Sequence, residues 1–175
     1  MKLFIRIPLV LISVVLLQIT LFDELRIAGV AAECAMGLAV AAGLAGGSDK
    51  GAMVGFLLGL FLDLYIATPY ALSALTFAVV AFIAGFFDNS MANTSWLVAG
   101  PMIGIGTASG VAMYVLFGEI LGEDHFYTDR FWVLLIVTGF AGFLLGGPLM
   151  TTMRWCFSDG SRQGPTPIRR FGVVN

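Results

Sequence analysis

The sequence predicts an all-α membrane protein, a bundle of six transmembrane helices over residues 1–153 with both termini in the cytoplasm. Three observations carry this expectation. Of 175 residues, 59% are hydrophobic and 11% charged, with a mean hydropathy of +0.96. An ordinary soluble domain is about 25% charged, so this chain cannot cover a water-facing surface. Apolar runs of bilayer-core character then recur along the chain between short polar connections. Finally, the basic residues fall almost entirely on one side of the alternating spans. Lys2, Arg6, Lys50, Arg154, Arg162, Arg169 and Arg170 lie inside, while only Arg26 and Arg130 lie outside, as the positive-inside rule requires.

The first span is expected at residues 7–22, behind Lys2 and Arg6. It resembles a signal peptide, but charged Asp23, Glu24 and Arg26 follow in place of a small-residue cleavage site, so a retained span is the better reading. The second span covers 31–47 and ends in Gly43, Gly46 and Gly47, after which Ser48, Asp49 and Lys50 are expected to turn the chain. Span three covers 51–67. Thr68, Pro69 and Tyr70 turn the chain into span four at 71–87, and Asp88 to Thr94 form a polar loop. Span five covers 95–117. An acidic loop holding Glu119, Glu123, Asp124, His125 and Asp129 leads to span six at 131–153. The tail at 154–175 is basic, rich in Pro and Gly, and too poor in apolar area to fold alone. Several spans hold about 17 apolar residues, roughly 25 Å of helix, slightly short of a bilayer core. Trp96, Trp132 and Trp155 fall at span ends, where indoles prefer the headgroup level.

Span three carries the densest pattern. Gly51, Gly55, Gly59 and Asp63 stand four residues apart and therefore share one helix face. In lipid, small residues let helix backbones approach closely, so this face either packs within the bundle or receives a partner's transmembrane helix. Gly43 with Gly47, Gly100 with Gly104, Gly106 with Gly110, and Gly142 with Gly146 repeat the spacing and are read as internal packing. Asp63 is the one ionisable residue well inside an apolar run, and a carboxylate there must be paired, hydrated or protonated. It forms a polar site with Tyr65, Ser73 or Thr76, or it caps the start of span four or reaches up to the interface. Glu33 reads as an interfacial charge and His125 as a solvated loop residue.

Catalysis is not indicated. The chain offers no Ser/His/Asp set, no phosphate-binding glycine loop and no paired intramembrane carboxylates, and alcohol-transferring phospholipid synthases need several aspartates in one span. Cys34 and Cys156 fall near opposite faces of the bundle, so they form neither a disulfide nor, without a His cluster, a metal site. No cofactor and no nucleic-acid partner is expected.

The pattern Gly51, Gly55, Phe56, Gly59, Leu60, Asp63, then Thr68, Pro69, Leu72, Ala74 and Leu75, with Gln18 near the end of span one, resembles the MreD family of rod shape-determining proteins. The likeness covers about residues 5–90, and the remainder agrees in hydropathy and length. Two positions depart from the family: Ala32 and Glu33 stand where it tends to have Pro-Asp, and Ala71 where it tends to have glycine. The resemblance implies a non-catalytic subunit of the bacterial cell-elongation machinery in the inner membrane. Its implied partners are MreC, the actin-like MreB, and the RodA glycosyltransferase with its penicillin-binding transpeptidase. A second expectation, from a different class, is the substrate-binding subunit of an energy-coupling-factor vitamin transporter. Those subunits are also six-span bundles, and that reading gives Asp63 and Tyr65 a ligand.

Overall fold

A computed structural model describes residues 2–17, 34–65, 71–87, 96–121 and 131–157. Among these the protein is all helical, with six helices: α1 (Lys2–Leu17), α2 (Cys34–Gly46), α3 (Ser48–Tyr65), α4 (Leu72–Gly85), α5 (Trp96–Ile120) and α6 (Phe131–Phe157). A helix overlaps each of the six apolar runs. Two stretches, Leu97–Ile120 and Phe131–Phe157, are long and apolar enough to cross a membrane. Both are exposed over much of their length.

The centre of the molecule is α2. Its sequence, CAMGLAVAAGLAG, is built mostly from alanine and glycine, and every residue from Cys34 to Leu44 is buried. Side chains this small let neighbouring helices approach from all directions. The antiparallel hairpins α3–α4 and α5–α6 pack on α2 from either side. Outside them, α1 lies against α3, α6 and α2, burying Val10 and Leu11 while Leu9, Ile12 and Leu16 point away.

The helices alternate in direction. Gly46 at the end of α2 meets the ring of Phe157 at the end of α6, and Gly85 at the end of α4 packs on Ser48 at the start of α3. Arg6 near the start of α1 stacks on Trp155. The start of α5 joins this end too, because Met102 lines one crevice with Leu44 and Phe87. The opposite end holds the starts of α2 and α4 and the ends of α3 and α5.

Four expected boundaries are corrected. Helix α1 begins at Lys2 and not at residue 7. Ser48, Asp49 and Lys50 are not a turn but the first turn of α3, where Asp49 suits the positive end of the helix dipole. The reversal is made at Gly47 alone, whose φ of 82° is open to glycine. Gly47 N–H donates to the Gly43 carbonyl at 2.9 Å, closing α2, and its own carbonyl accepts from Gly51 N–H at 2.9 Å, opening α3. Helix α5 runs three residues beyond Phe117, taking in Glu119, and Leu121 N–H still bonds the Phe117 carbonyl at 3.1 Å. Helix α6 continues through Arg154 to Phe157, so the first residues assigned to the tail are helical. Thr151 and Thr152 do not interrupt it, because their hydroxyls donate to the carbonyls of Gly147 and Pro148. The remaining tail, the turn at Thr68 and Pro69, and the loop residues Glu33, Glu123, Asp124, His125 and Asp129 lie outside the described residues.

Candidate functional site

The candidate site is the seam between α3 and α4, where the glycine row and Asp63 come together. A methyl carbon built on Gly55 would stand 2.5 Å from the carbonyl oxygen of Phe77, and one on Gly59 would stand 2.5 Å from the backbone N and Cα of Ala74. At Gly51 it would run into the Cα of Gly43 on α2. These separations leave no room for any side chain, so α3 and α4 touch backbone to backbone along the row. The groove expected to receive a partner's helix is therefore already filled by α4. An outside helix seated there would have to displace it, which corrects the partner reading of Gly51, Gly55 and Gly59 in favour of the packing one.

Asp63 closes the seam. It is 4% exposed, and its two oxygens accept separate backbone bonds from the start of α4: Ser73 N–H donates to Oδ1 at 3.3 Å and Ala74 N–H to Oδ2 at 3.1 Å. The first N–H groups of a helix have no partner in the helix itself and need an acceptor. Ordinarily the residue before the helix supplies one from its side chain. Here that residue is Ala71, which has no acceptor to offer. Asp63 substitutes for it from the neighbouring helix, and its negative charge meets the positive end of the α4 dipole. Of the readings considered for Asp63, capping of the fourth span is the one realised.

Of the other residues of the expected polar site, Ser73 and Thr76 are buried in α4, and the side chain of Tyr65 lies outside the described residues. Ser73 is buried and joins Asp63 through its backbone. Thr76 is fully buried, and its hydroxyl donates to the Leu72 carbonyl of its own helix at 2.8 Å. Tyr65 is the last residue of α3. Thr107 and Thr138, buried in α5 and α6, bond back to Ile103 and Leu134 at 2.6 and 2.7 Å in the same way. Such back-bonding satisfies the hydroxyl donor within its own helix.

The remaining small-residue pairs also pack within the chain. Gly100 meets Gly146, Gly104 meets the Gly139 carbonyl, Gly142 meets Thr107, and Gly106 and Gly110 receive Val40 and Met36 of α2. Cys34 and Cys156 are buried and free, and no group of three metal-ligating side chains occurs among the described residues.

Two features were not anticipated from the sequence. One is an apolar crevice of about 390 Å³ between α4 and α5, floored by Val40 and Leu44 of α2 and rimmed by Ile83, Phe87, Ile105 and Met113. The other is a cationic corner where α1, α3 and α6 meet. There Arg6 lies 4.5 Å from the Trp155 ring centroid and donates to the Trp155 carbonyl at 3.4 Å, while Lys50 Nζ stands 6.0 Å from the Phe157 ring. Neither has a local sequence signal, since each is assembled from helices distant along the chain. Compared with known proteins, the chain matches no family model, no curated protein and no solved structure.

Proposed function

We propose that this is a multi-pass protein of the bacterial inner membrane, six-span with cytoplasmic termini, acting as a non-catalytic scaffold of the MreD type in the cell-elongation machinery. In this reading it binds MreC directly and supports peptidoglycan synthesis by RodA and its penicillin-binding transpeptidase alongside MreB. The observation that carries the reading is the α3–α4 seam. The residues that bear the resemblance, Gly51, Gly55, Gly59 and Asp63, are all consumed in holding the bundle together, as expected of a structural protein. The same observation weighs against the vitamin-transporter reading, because Asp63 is buried against the start of α4, where its oxygens hold two backbone N–H groups, and Thr76 is fully buried.

The membrane reading draws support from the outer surface, where Leu97, Ile105, Ile136, Phe140 and Leu144 are each at least 60% exposed. Water-soluble monomers rarely present so much contiguous apolar area. A partner helix has to use a face the bundle leaves open, and the crevice between α4 and α5 offers an apolar one.

The test is photo- or disulfide cross-linking in native membranes from cysteines at Ile83 and Ile105, with the buried Cys34 and Cys156 giving little background. Capture of MreC, together with rounding of rod-shaped cells when the gene is removed, is the expected result. Unchanged cell shape with no MreC captured overturns the proposal, and capture of transporter ATPases replaces it with the rival.

A further inference from the structure

We propose that the corner formed by α1, α3 and α6 is a binding site for one anionic phospholipid, its acyl chain in a crevice and its phosphate at Lys50. The proposal rests on the membrane reading above, which turns this end of the bundle toward the cytoplasmic leaflet. The crevice encloses about 180 Å³ between Ile7 and Pro8 of α1, Met53 and Leu57 of α3, and Phe157 of α6. Pockets for compact small molecules start at roughly 300 Å³. A narrow slot with walls of hydrocarbon and one aromatic ring suits a length of acyl chain instead.

The mouth differs in kind from the walls. Lys50 lines the crevice and is exposed, its ammonium 6.0 Å from the centroid of the Phe157 ring that forms one wall. Arg6, next in sequence to the lining Ile7, adds a second cation, held at the end of α6 through Trp155. Asp49, exposed beside Lys50, is the one acidic side chain described at this end, and it leaves the balance positive. An apolar slot with cations at its rim complements a ligand having an acyl tail and an anionic head. Basic sites between helices on the cytoplasmic side are known lipid-headgroup binders for this reason.

The experiment uses the full chain extracted from membranes and placed in nanodiscs of equal parts phosphatidylglycerol and phosphatidylcholine, with retained lipid read by native mass spectrometry. The wild type is expected to retain phosphatidylglycerol preferentially. Lys50→Gln should lower that preference about fivefold, equivalent to the ~1 kcal/mol a basic residue contributes against an anionic surface, and Lys50→Arg should keep most of it. Met53→Trp, which narrows the slot, should reduce retention of both lipids. Added inorganic phosphate should not compete, because the slot holds the chain as well as the head. Equal retention of the two lipids by the wild type, or an unchanged preference in Lys50→Gln, overturns the proposal. So does unchanged retention in Met53→Trp, or displacement by free phosphate. Recovery of the chain from the soluble fraction overturns the membrane reading itself, which separates the two failures.

Discussion

Asp63 shows how one side chain can serve two elements. It is buried where a carboxylate is costly, and it recovers that cost from two N–H groups that α4 cannot satisfy by itself. Replacing it with alanine strands both donors in an apolar seam, a loss of about 1–3 kcal/mol. Asp63→Asn keeps one acceptor oxygen and should lose less. Unfolding of the purified protein in detergent, followed by far-UV circular dichroism, should rank the wild type above Asn and Asn above Ala. An alanine variant as stable as the wild type would show that the cap contributes nothing. Ala71 is the complementary case. Its φ of 74° lies in the left-handed region, where an L side chain costs about 1 kcal/mol or more. Ala71→Gly should therefore raise the unfolding midpoint, by up to about 1 kcal/mol of stability, and a lowered midpoint would contradict the strained turn.

Between elements, the glycines divide by what faces them. Gly59 looks onto the backbone of Ser73 and Ala74 at 2.5 Å, and backbone cannot yield without moving a helix. Gly139 looks onto the Cβ of Ala108 and the Gly104 carbonyl at 3.3 and 3.4 Å, a gap that small adjustments can open. Gly59→Ala should thus cost about 1–3 kcal/mol through overpacking and Gly139→Ala clearly less. Membrane abundance and resistance to detergent unfolding measure the pair together, and equal losses would mean that the α3–α4 seam is no tighter than the α5–α6 one. The tightness also explains why short helices suffice. At 13 residues α2 is only about 20 Å long. It is surrounded by other helices along that length, so it depends on packing rather than on matching the bilayer.

At the scale of the molecule, the alternating helices gather charge at one end. Arg6, Lys50 and Arg154 belong to helix ends that meet there, while Asp63 and Glu119 belong to ends at the other. Under the proposed membrane reading, the positive-inside rule turns this asymmetry into an orientation. A cytoplasm-dependent reporter fused after Asn175 should be active, and the same reporter inserted near Glu123 inactive. Activity with the opposite pattern would invert the bundle and remove the basis for a cytoplasmic lipid site.

The number, order and approximate limits of the helices were legible in the sequence, because hydropathy and the spacing of charges and glycines are local properties that survive without a fold. So was the importance of Gly51, Gly55, Gly59 and Asp63, since a polar residue in an apolar run and a four-residue glycine repeat each demand a neighbour. What a one-dimensional pattern cannot say is which neighbour answers. Gly55 has the same spacing whether it meets Phe77 of its own chain or a foreign helix, and Asp63 the same cost whether it caps α4 or binds a ligand. Only the tertiary structure decided these, by seating α4 in the groove and aiming two N–H groups at the carboxylate. It also put α2 at the centre of the molecule, for a physical reason the sequence states only in hindsight: the helix with the smallest side chains is the one that the others can surround.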